Sequence, residues 1–280
     1  VLRYPDELPM KISTVTVCRN SQATIAQTVA SFLRQTHPDK ELLVIDGGST
    51  DKTVEIVNSF QNDAIRIISE PDRGIYDAMN KGLANFSGDA IGFLNSDDVY
   101  HDSSVLELIS QALEAADAIY GDLVMISDHV TGNIVREWKA SEFRPDAFRS
   151  GWMPPHPTFY IRRELAARTG QFDLSYKISA DYDFMLRAME LHHARVHHIH
   201  HVLVDFMVGG ISTAGLGAVI LGNLECLRAR RRHLGSPLVD RALFTKPLRK
   251  IMQLTGLRDT LGATSVAESS KSSSPRNTRE

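Results

Sequence analysis

Between residues 11 and 98, short apolar runs alternate with segments whose apolar positions recur at helical spacing. Ile12 to Cys18, Leu42 to Ile45, Ile65 to Ile68 and Ala90 to Leu94 are brief and largely β-branched or aliphatic, the pattern of strands buried on both faces. Between them, Ile25, Val29, Phe32 and Leu33 fall on one helical face, as do Val54, Val57 and Phe60, and then Ile75, Met79, Leu83 and Phe86. This β-α-β-α-β-α-β order predicts an α/β fold with a Rossmann-like, mostly parallel sheet and helices on both faces. Ligands of such sheets bind beyond the carboxyl ends of the strands. Polar residues collect there: Arg19 and Asn20 after the first strand, Asp46 to Asp51 after the second, Glu70 to Gly74 after the third, and Asn95 to Asp98 after the fourth. A single cleft accommodates all four.

The adjacent carboxylates Asp97 and Asp98 stand where a buried strand runs out, and burying charge there is costly unless something neutralises it. A hard divalent cation shared with a diphosphate fits. Capping of the helix that begins near Ser103 is the plainer alternative. Asp46, directly after Leu42-Leu-Val-Ile45, is placed to accept hydrogen bonds from a base or ribose. Gly47 and Gly48 allow close approach to a ligand, and Ser49, Thr50 or Asp51 can cap the following helix. Arg73, at a helix start where free N–H groups and the macrodipole favour anions, suits a diphosphate; pairing with Asp72 or Asp77 is its ordinary alternative. Neither a Gly-x-x-x-x-Gly-Lys-Ser/Thr loop nor a Gly-x-Gly-x-x-Gly turn follows the first strand, which weighs against ATPase and dinucleotide chemistry.

In the second half, Ser179 to Arg187 reads as a helix with Asp181 and Asp183 in its first turn, where negative charge is favoured. His156 sits in Met153-Pro-Pro-His-Pro-Thr158, a loop stiffened by prolines. Histidines crowd between His192 and His201. On a strand from Val196 to Val204, His198 and His200 share one face and His197 and His201 the other, so the cluster is split. It reads as an edge strand, or as adventitious metal binding, in preference to a built metal site.

The order Thr16-Val-Cys-Arg-Asn20, Val44-Ile-Asp-Gly-Gly-Ser-Thr-Asp51, Asp72-Arg-Gly-Ile-Tyr-Asp-Ala-Met-Asn-Lys-Gly82 and Gly88-Asp-Ala-Ile-Gly-Phe-Leu-Asn-Ser-Asp-Asp98 resembles family 2 glycosyltransferases of the GT-A fold. The likeness is greatest to the bacterial branch that assembles exopolysaccharide, O-antigen and colanic-acid-type units. The resemblance implies an inverting transfer of a sugar from a nucleotide-sugar donor to a glycan or polyprenyl-linked acceptor. It implies donor contacts from Asn20, Asp46, Arg73, Asp77, Asn80 and Asp97, and a Mn²⁺ or Mg²⁺ ion at Asp97 with Asp98 in support. Asp181 falls on the position of the acceptor's general base, with Ala180 in place of a frequent glutamate. His156 and Asp183 match acceptor or diphosphate contacts, and Gly209-Gly-Ile-Ser212 matches a flexible loop near the leaving group. Asn95 and Gly47 stand where many members carry aspartate. A sugar-nucleotide pyrophosphorylase and a degenerate nucleotide-binding module are the alternatives.

The likeness covers residues 10–210, a nucleotide-binding half to about 98 and an acceptor half from 99. Composition adds an ordinary core-forming chain of 280 residues, 42% hydrophobic. Charge changes the picture at the C-terminal end. The chain's net charge is −3, yet residues 226–262 carry nine Lys or Arg, Arg230, Arg231 and Arg232 among them, against Asp240 and Asp259. Leucines, Phe244, Ile251 and Met252 lie beside those cations, so 211–262 is expected to form a basic amphipathic helical extension. It suits either an anionic membrane or packing on the catalytic domain. Residues 263–280 offer little to bury and are expected to be a disordered tail. No nucleic-acid motif is present. Two distant cysteines, no secretory signal and an apolar stretch at Ala214 to Leu224 too short to span a bilayer lead us to expect a cytoplasmic protein, peripheral at the inner face of the plasma membrane.

Overall fold

The structure, a computed structural model, describes residues 9–208 and 216–237. All four predicted strands form, as β1 (Ile12–Cys18), β2 (Lys40–Asp46), β3 (Ile65–Ser69) and β4 (Ala90–Phe93), connected by α1 (Ile25–Leu33), α2 (Thr53–Ser59) and α3 (Ile75–Asn85). They lie side by side as β3-β2-β1-β4, all parallel. The apolar runs are long and uninterrupted because each strand is covered twice. Val15, Val17, Leu43 and Ile45 enter the layer packed with Ala78 and Met79 of α3, while Ile12, Leu42 and Val44 enter the layer packed with Ile25, Val29 and Phe32 of α1.

Several polar residues inside this half are partnered, although the Thr16 hydroxyl has no partner among the described residues. Thr14 Oγ1 lies 2.6 Å from Tyr100 Oη and 3.2 Å from Tyr160 Oη, and the Ser13 hydroxyl donates to Glu41 at 2.6 Å. Glu41 also accepts bonds from Ser87 and Arg66. Burial alone would raise its pKa, but these donors outweigh burial and bring it to about 2.

Beyond β4 the sheet continues through β5 (Val99–Tyr100), β6 (Ala118–Ile126), β7 (Ile134–Trp138), β8 (Tyr160–Arg162) and β9 (Val196–Met207), with α4 (Val105–Leu113), α5 (Arg163–Thr169) and α6 (Ala180–Leu186) interspersed. The nine strands run β3-β2-β1-β4-β8-β6-β9-β5, with β7 on β6. β8 is antiparallel to both β4 and β6, whereas β6 and β9 are parallel, so β1 to β4, β6 and β9 share one direction. Gly92 makes the β4–β8 seam possible, since a Cβ there would sit 2.3 Å from the Tyr160 ring. β9 is paired by β6 on one side and by β5 on the other, which corrects the expectation of an edge strand.

A long helix, α7 (Leu216–Leu234), represents the expected extension and packs on the sheet domain through Glu225, Cys226, Leu227, Ala229 and Arg230. Arg230 is only 1% exposed. Its guanidinium lies 5.9 Å from the Tyr182 ring centroid and donates to Tyr182 Oη. Within the run of three arginines, Arg231 and Arg232 face outward and Arg230 does not. Among the described residues no helix is long and apolar enough to cross a membrane. The Gly209–Ser212 loop, residues 238–262 of the extension and the 263–280 tail lie outside the described residues.

Candidate active site

Because Cys18 is in register with Asp46, and Asp46 with Ser69, the first three strands end together and their loops meet. Asn20 adopts φ +53 and joins two of those loops: its N–H donates to Ser49 Oγ at 2.7 Å and its Oδ1 accepts the Thr50 N–H at 2.9 Å. Asp46 is completely buried and accepts the Ser49 N–H and the hydroxyls of Ser49 and Ser69. Burial pushes its pKa up, but these donors more than compensate and hold it low. Asp46 thus shapes the loop from behind. The neighbouring Cys18 thiol, 3.8 Å from Asp46, is pushed up to about 12 by burial and by that carboxylate. Above Gly47 lies the carboxylate of Asp72, 2.2 Å from where a Cβ would stand. Asp72 thereby takes the space that an aspartate at 47 would need. The sequence shows Asp72 only as a partner for Arg73.

At the start of α3, Asp77 accepts the Arg73 backbone N–H at 3.0 Å and its guanidinium at 2.9 Å, and that pairing holds Asp77 below the ordinary carboxylate range. The Arg73 side chain is otherwise exposed, within reach of an anion at the helix terminus. Asn80 Nδ2 donates to Phe172 O at 2.9 Å and its Oδ1 accepts the Phe172 N–H at 2.8 Å, so the amide ties α3 to the segment before α6.

The two aspartates after β4 have separate fates. Asp98 is fully buried, with Asn95 Nδ2 donating to one oxygen at 2.9 Å and the Met207 N–H to the other at 3.0 Å. Burial and the charge of Asp97 push its pKa well up. Asp97 is half-buried, and burial raises it too, although His129 acts the other way. Both Asp98 oxygens are engaged in the interior, which leaves Asp97 the more accessible of the pair. Hard oxygen donors whose negative charge is poorly neutralised fit a divalent cation, with Asp97 as the accessible ligand.

The half beyond β4 packs against β4 and the start of α3 through aromatic contacts. His156 is 9% exposed and stacks on Phe93 of β4 with centroids 5.7 Å apart. Phe172 meets Phe93 at 5.3 Å, Tyr76 at 5.9 Å and Phe184 of α6 at 4.4 Å. Burial lowers the His156 pKa, with Asp181 pulling it partly back, so the ring is neutral at pH 7 and serves as packing between β4 and α6. The Tyr76 hydroxyl donates to Ile178 O, bringing the start of α3 to the start of α6. Asp181 is half-buried in the first turn of α6, one oxygen accepting the Tyr182 N–H at 2.8 Å. Asp183 is 1% exposed and is held by Arg187 at 2.8 Å and His233 of α7 at 2.9 Å. These pairs link α6 to α7 through Asp183. Sequence reasoning missed Glu225, whose buried carboxylate accepts the N–H groups of Lys177, Ile178 and Ser179 at 2.8–2.9 Å, just ahead of Asp181. No local signal marks a contact made across the fold.

A parallel half whose loops converge beyond β4, joined by an antiparallel strand to a second half carrying an aspartate at a helix start, has the architecture of the GT-A fold. The structure of S. aureus TarS 1-349 in complex with UDP-GlcNAc superposes with TM-score 0.63 at 19% identity, covering 83% of this chain and 69% of that one. The chain spans 44% of the longer TarS structure. The mannosyltransferase PcManGT of Pyrobaculum calidifontis, in complex with GDP-Man and Mn²⁺, gives TM-score 0.58 at 15% identity over 95% of this chain and 77% of that one. Among sequences, a PGL/p-HBAD biosynthesis glycosyltransferase of Mycobacterium tuberculosis is 30% identical over 200 residues, 69% of this chain and 75% of its own length. An uncharacterized glycosyltransferase of the same organism is 31% identical over 225 residues, 76% of this chain and 81% of its own. The family model for glycosyl transferase family 2 matches residues 13–170, and the chain belongs to that family.

Proposed function

We infer that the protein is an inverting, metal-dependent hexosyltransferase that moves one sugar from a nucleotide-sugar donor to a glycan or polyprenyl-linked acceptor in cell-surface polysaccharide synthesis. The observation that carries this is the packing of β4, which leads into Asp97, against the start of α6, which carries Asp181, through Phe93, His156 and Phe172, with the Tyr76–Ile178 bond beside it. The loop held by Asn20, Asp46 and Ser49 receives the nucleoside, with Asp72 beside Gly47 as a further polar contact. Arg73, presented by Asp77 at the α3 terminus, binds the diphosphate. A divalent cation held by Asp97 supplies charge stabilisation for the departing diphosphate. Asp181 accepts the acceptor's hydroxyl proton as that oxygen attacks the anomeric carbon in a single displacement. Asn80 and Asp183 act by position, holding α3 and α6 against the acceptor half. Ala180 is packed at 0% exposure in the core, so the position has no free space for a carboxylate and its alanine does not argue for a degenerate module.

For the acceptor, α7 presents Val219, Ile220, Leu221 and Leu224 to solvent among the described residues, with Arg228 and Arg231 alongside. The Ser179 hydroxyl donates to Gly222 O, which ties that face to the start of α6. On this account the enzyme works peripherally at an anionic membrane, on the cytoplasmic side, where a lipid-linked acceptor is found. The decisive experiment is a screen of nucleotide sugars with Mn²⁺ or Mg²⁺ against lipid-linked and soluble glycan acceptors. Metal-dependent release of nucleoside diphosphate with a glycosylated product is expected. Nucleoside triphosphate formed from added pyrophosphate would identify a pyrophosphorylase instead, and binding without turnover a module.

A further inference from the structure

The histidines of β9 do not stay split once the fold brings a carboxylate to them. His198 is 3% exposed, and its ring is fixed on two sides: it stacks on Tyr120 at 4.9 Å and 9°, and its Nε2 lies 2.9 Å from Asp122 Oδ1. Asp122 is itself held, accepting the Ala140 N–H at 2.8 Å. The remaining nitrogen, His198 Nδ1, is buried and has no hydrogen-bond partner among the described residues. Glu142 Oε1 lies 3.4 Å from it, and the same oxygen lies 3.0 Å from His200 Nε2. All three donor atoms lie within 4.8 Å of one another.

With Nε2–H given to Asp122, Nδ1 carries a buried lone pair that no donor among the described residues satisfies, and a cation bound beside it and the Glu142 carboxylate would satisfy both. Ligands on a tetrahedral metal with bonds of about 2.0–2.1 Å stand about 3.3–3.4 Å apart, and the 3.4 and 3.0 Å separations from Glu142 to the two imidazoles are of that size. Two imidazoles and one carboxylate form a borderline donor set that selects zinc-type transition ions over Mg²⁺. Asp122 then plays the outer partner, orienting a ligating histidine through its second nitrogen. We propose that Glu142, His198 and His200 form a structural zinc-type site, separate from Asp97.

Glu142 belongs to the segment between β7 and the turn at Ala147–Ser150. That segment is already anchored by Tyr120 Oη donating to Ser141 O and Trp152 Nε1 donating to Ser141 Oγ, both at 2.9 Å. The metal adds a clip between this loop and the sheet, next to the chain that leads from Trp152 to His156. The site stands on its own residues and does not depend on the identity of the sugar donor.

The test uses the full, untagged chain stripped with chelator, with metal analysis and thermal melts in Zn²⁺ and, as control, Mg²⁺. One zinc per chain and a zinc-specific rise in Tm are expected. His200 and Glu142 are exposed, so His200→Ala and Glu142→Gln should keep the metal-free Tm while losing the zinc-dependent rise. Asp122→Asn should weaken zinc binding by roughly 10–100-fold. Asp97→Asn should keep the zinc. Co²⁺ in place of Zn²⁺ should give the visible absorption of a tetrahedral ion, lost in His200→Ala. Absence of a zinc-dependent Tm rise would overturn the proposal, in favour of a protonated His198 between Asp122 and Glu142. An undiminished rise in both His200→Ala and Glu142→Gln would overturn it equally.

Discussion

Asp97 and Asp98 are neighbours in sequence with opposite settings, and the difference predicts their variants. Asp97→Asn removes the accessible carboxylate, so Mn²⁺-dependent donor binding should fall sharply with little change in Tm, as titration calorimetry and a melt would show. Asp98→Ala strips the partner from the Met207 N–H and from Asn95, so it should lower Tm first. Asp181→Asn should leave donor affinity nearly intact while transfer slows by roughly 10²–10⁴-fold, the range for a positioned general base. Collapse of donor affinity in that variant would move the base elsewhere. The sequence showed that these carboxylates stand at an element's end, because apolar runs stop visibly there. It could not show which one is spent internally, since the Met207 amide that claims Asp98 arrives on β9 from the far end of the fold. The partners of Asn80 and Asp183, namely Phe172 and His233, were not legible for the same reason, being remote in sequence.

Among elements, α6 depends on α7. A short helix whose preceding N–H groups are buried needs an acceptor for them, and Glu225 supplies one for Lys177, Ile178 and Ser179 together. Glu225→Ala should cost about 1–3 kcal/mol in urea unfolding, the scale of buried donors left unmatched. It should also slow transfer, because Asp181 follows the segment that loosens; unchanged stability would show that the helix start has another anchor. The strands of the first half were legible because period and composition mark doubly covered strands directly. The apolar and basic pattern of α7 was legible too. What lies against each face was not, and periodicity could not tell that Arg230 turns inward while Arg231 turns outward.

At the scale of the molecule, motif order revealed the parallel half and its cleft, but not the reversal at β8 or the three-residue length of that strand. Those follow from pairings of distant segments, such as Gly92 with Tyr160. Stability against acid should follow Glu41, which lies under the first half with its pKa lowered from 4.5 to about 2. A depressed folded pKa means the contribution is complete above the unfolded value and is lost as pH falls through 4.5 toward 2. Unfolding free energy measured across that window should decline less steeply in Glu41→Gln than in the parent chain. Parallel curves would show that other carboxylates govern the acid limb.

The thiol at the end of β1 turns the donor cleft into its own timekeeper. Cys18 reacts only as thiolate, and both burial and its place beside Asp46 keep it protonated and shielded while the strands remain closed. Cys226 is buried in α7 at the opposite contact. The pace at which a thiol reagent captures each sulfur therefore reports local opening at two separate addresses, without a probe being added. A donor that seals the cleft should retard capture at Cys18 and leave the rhythm at Cys226 unaltered.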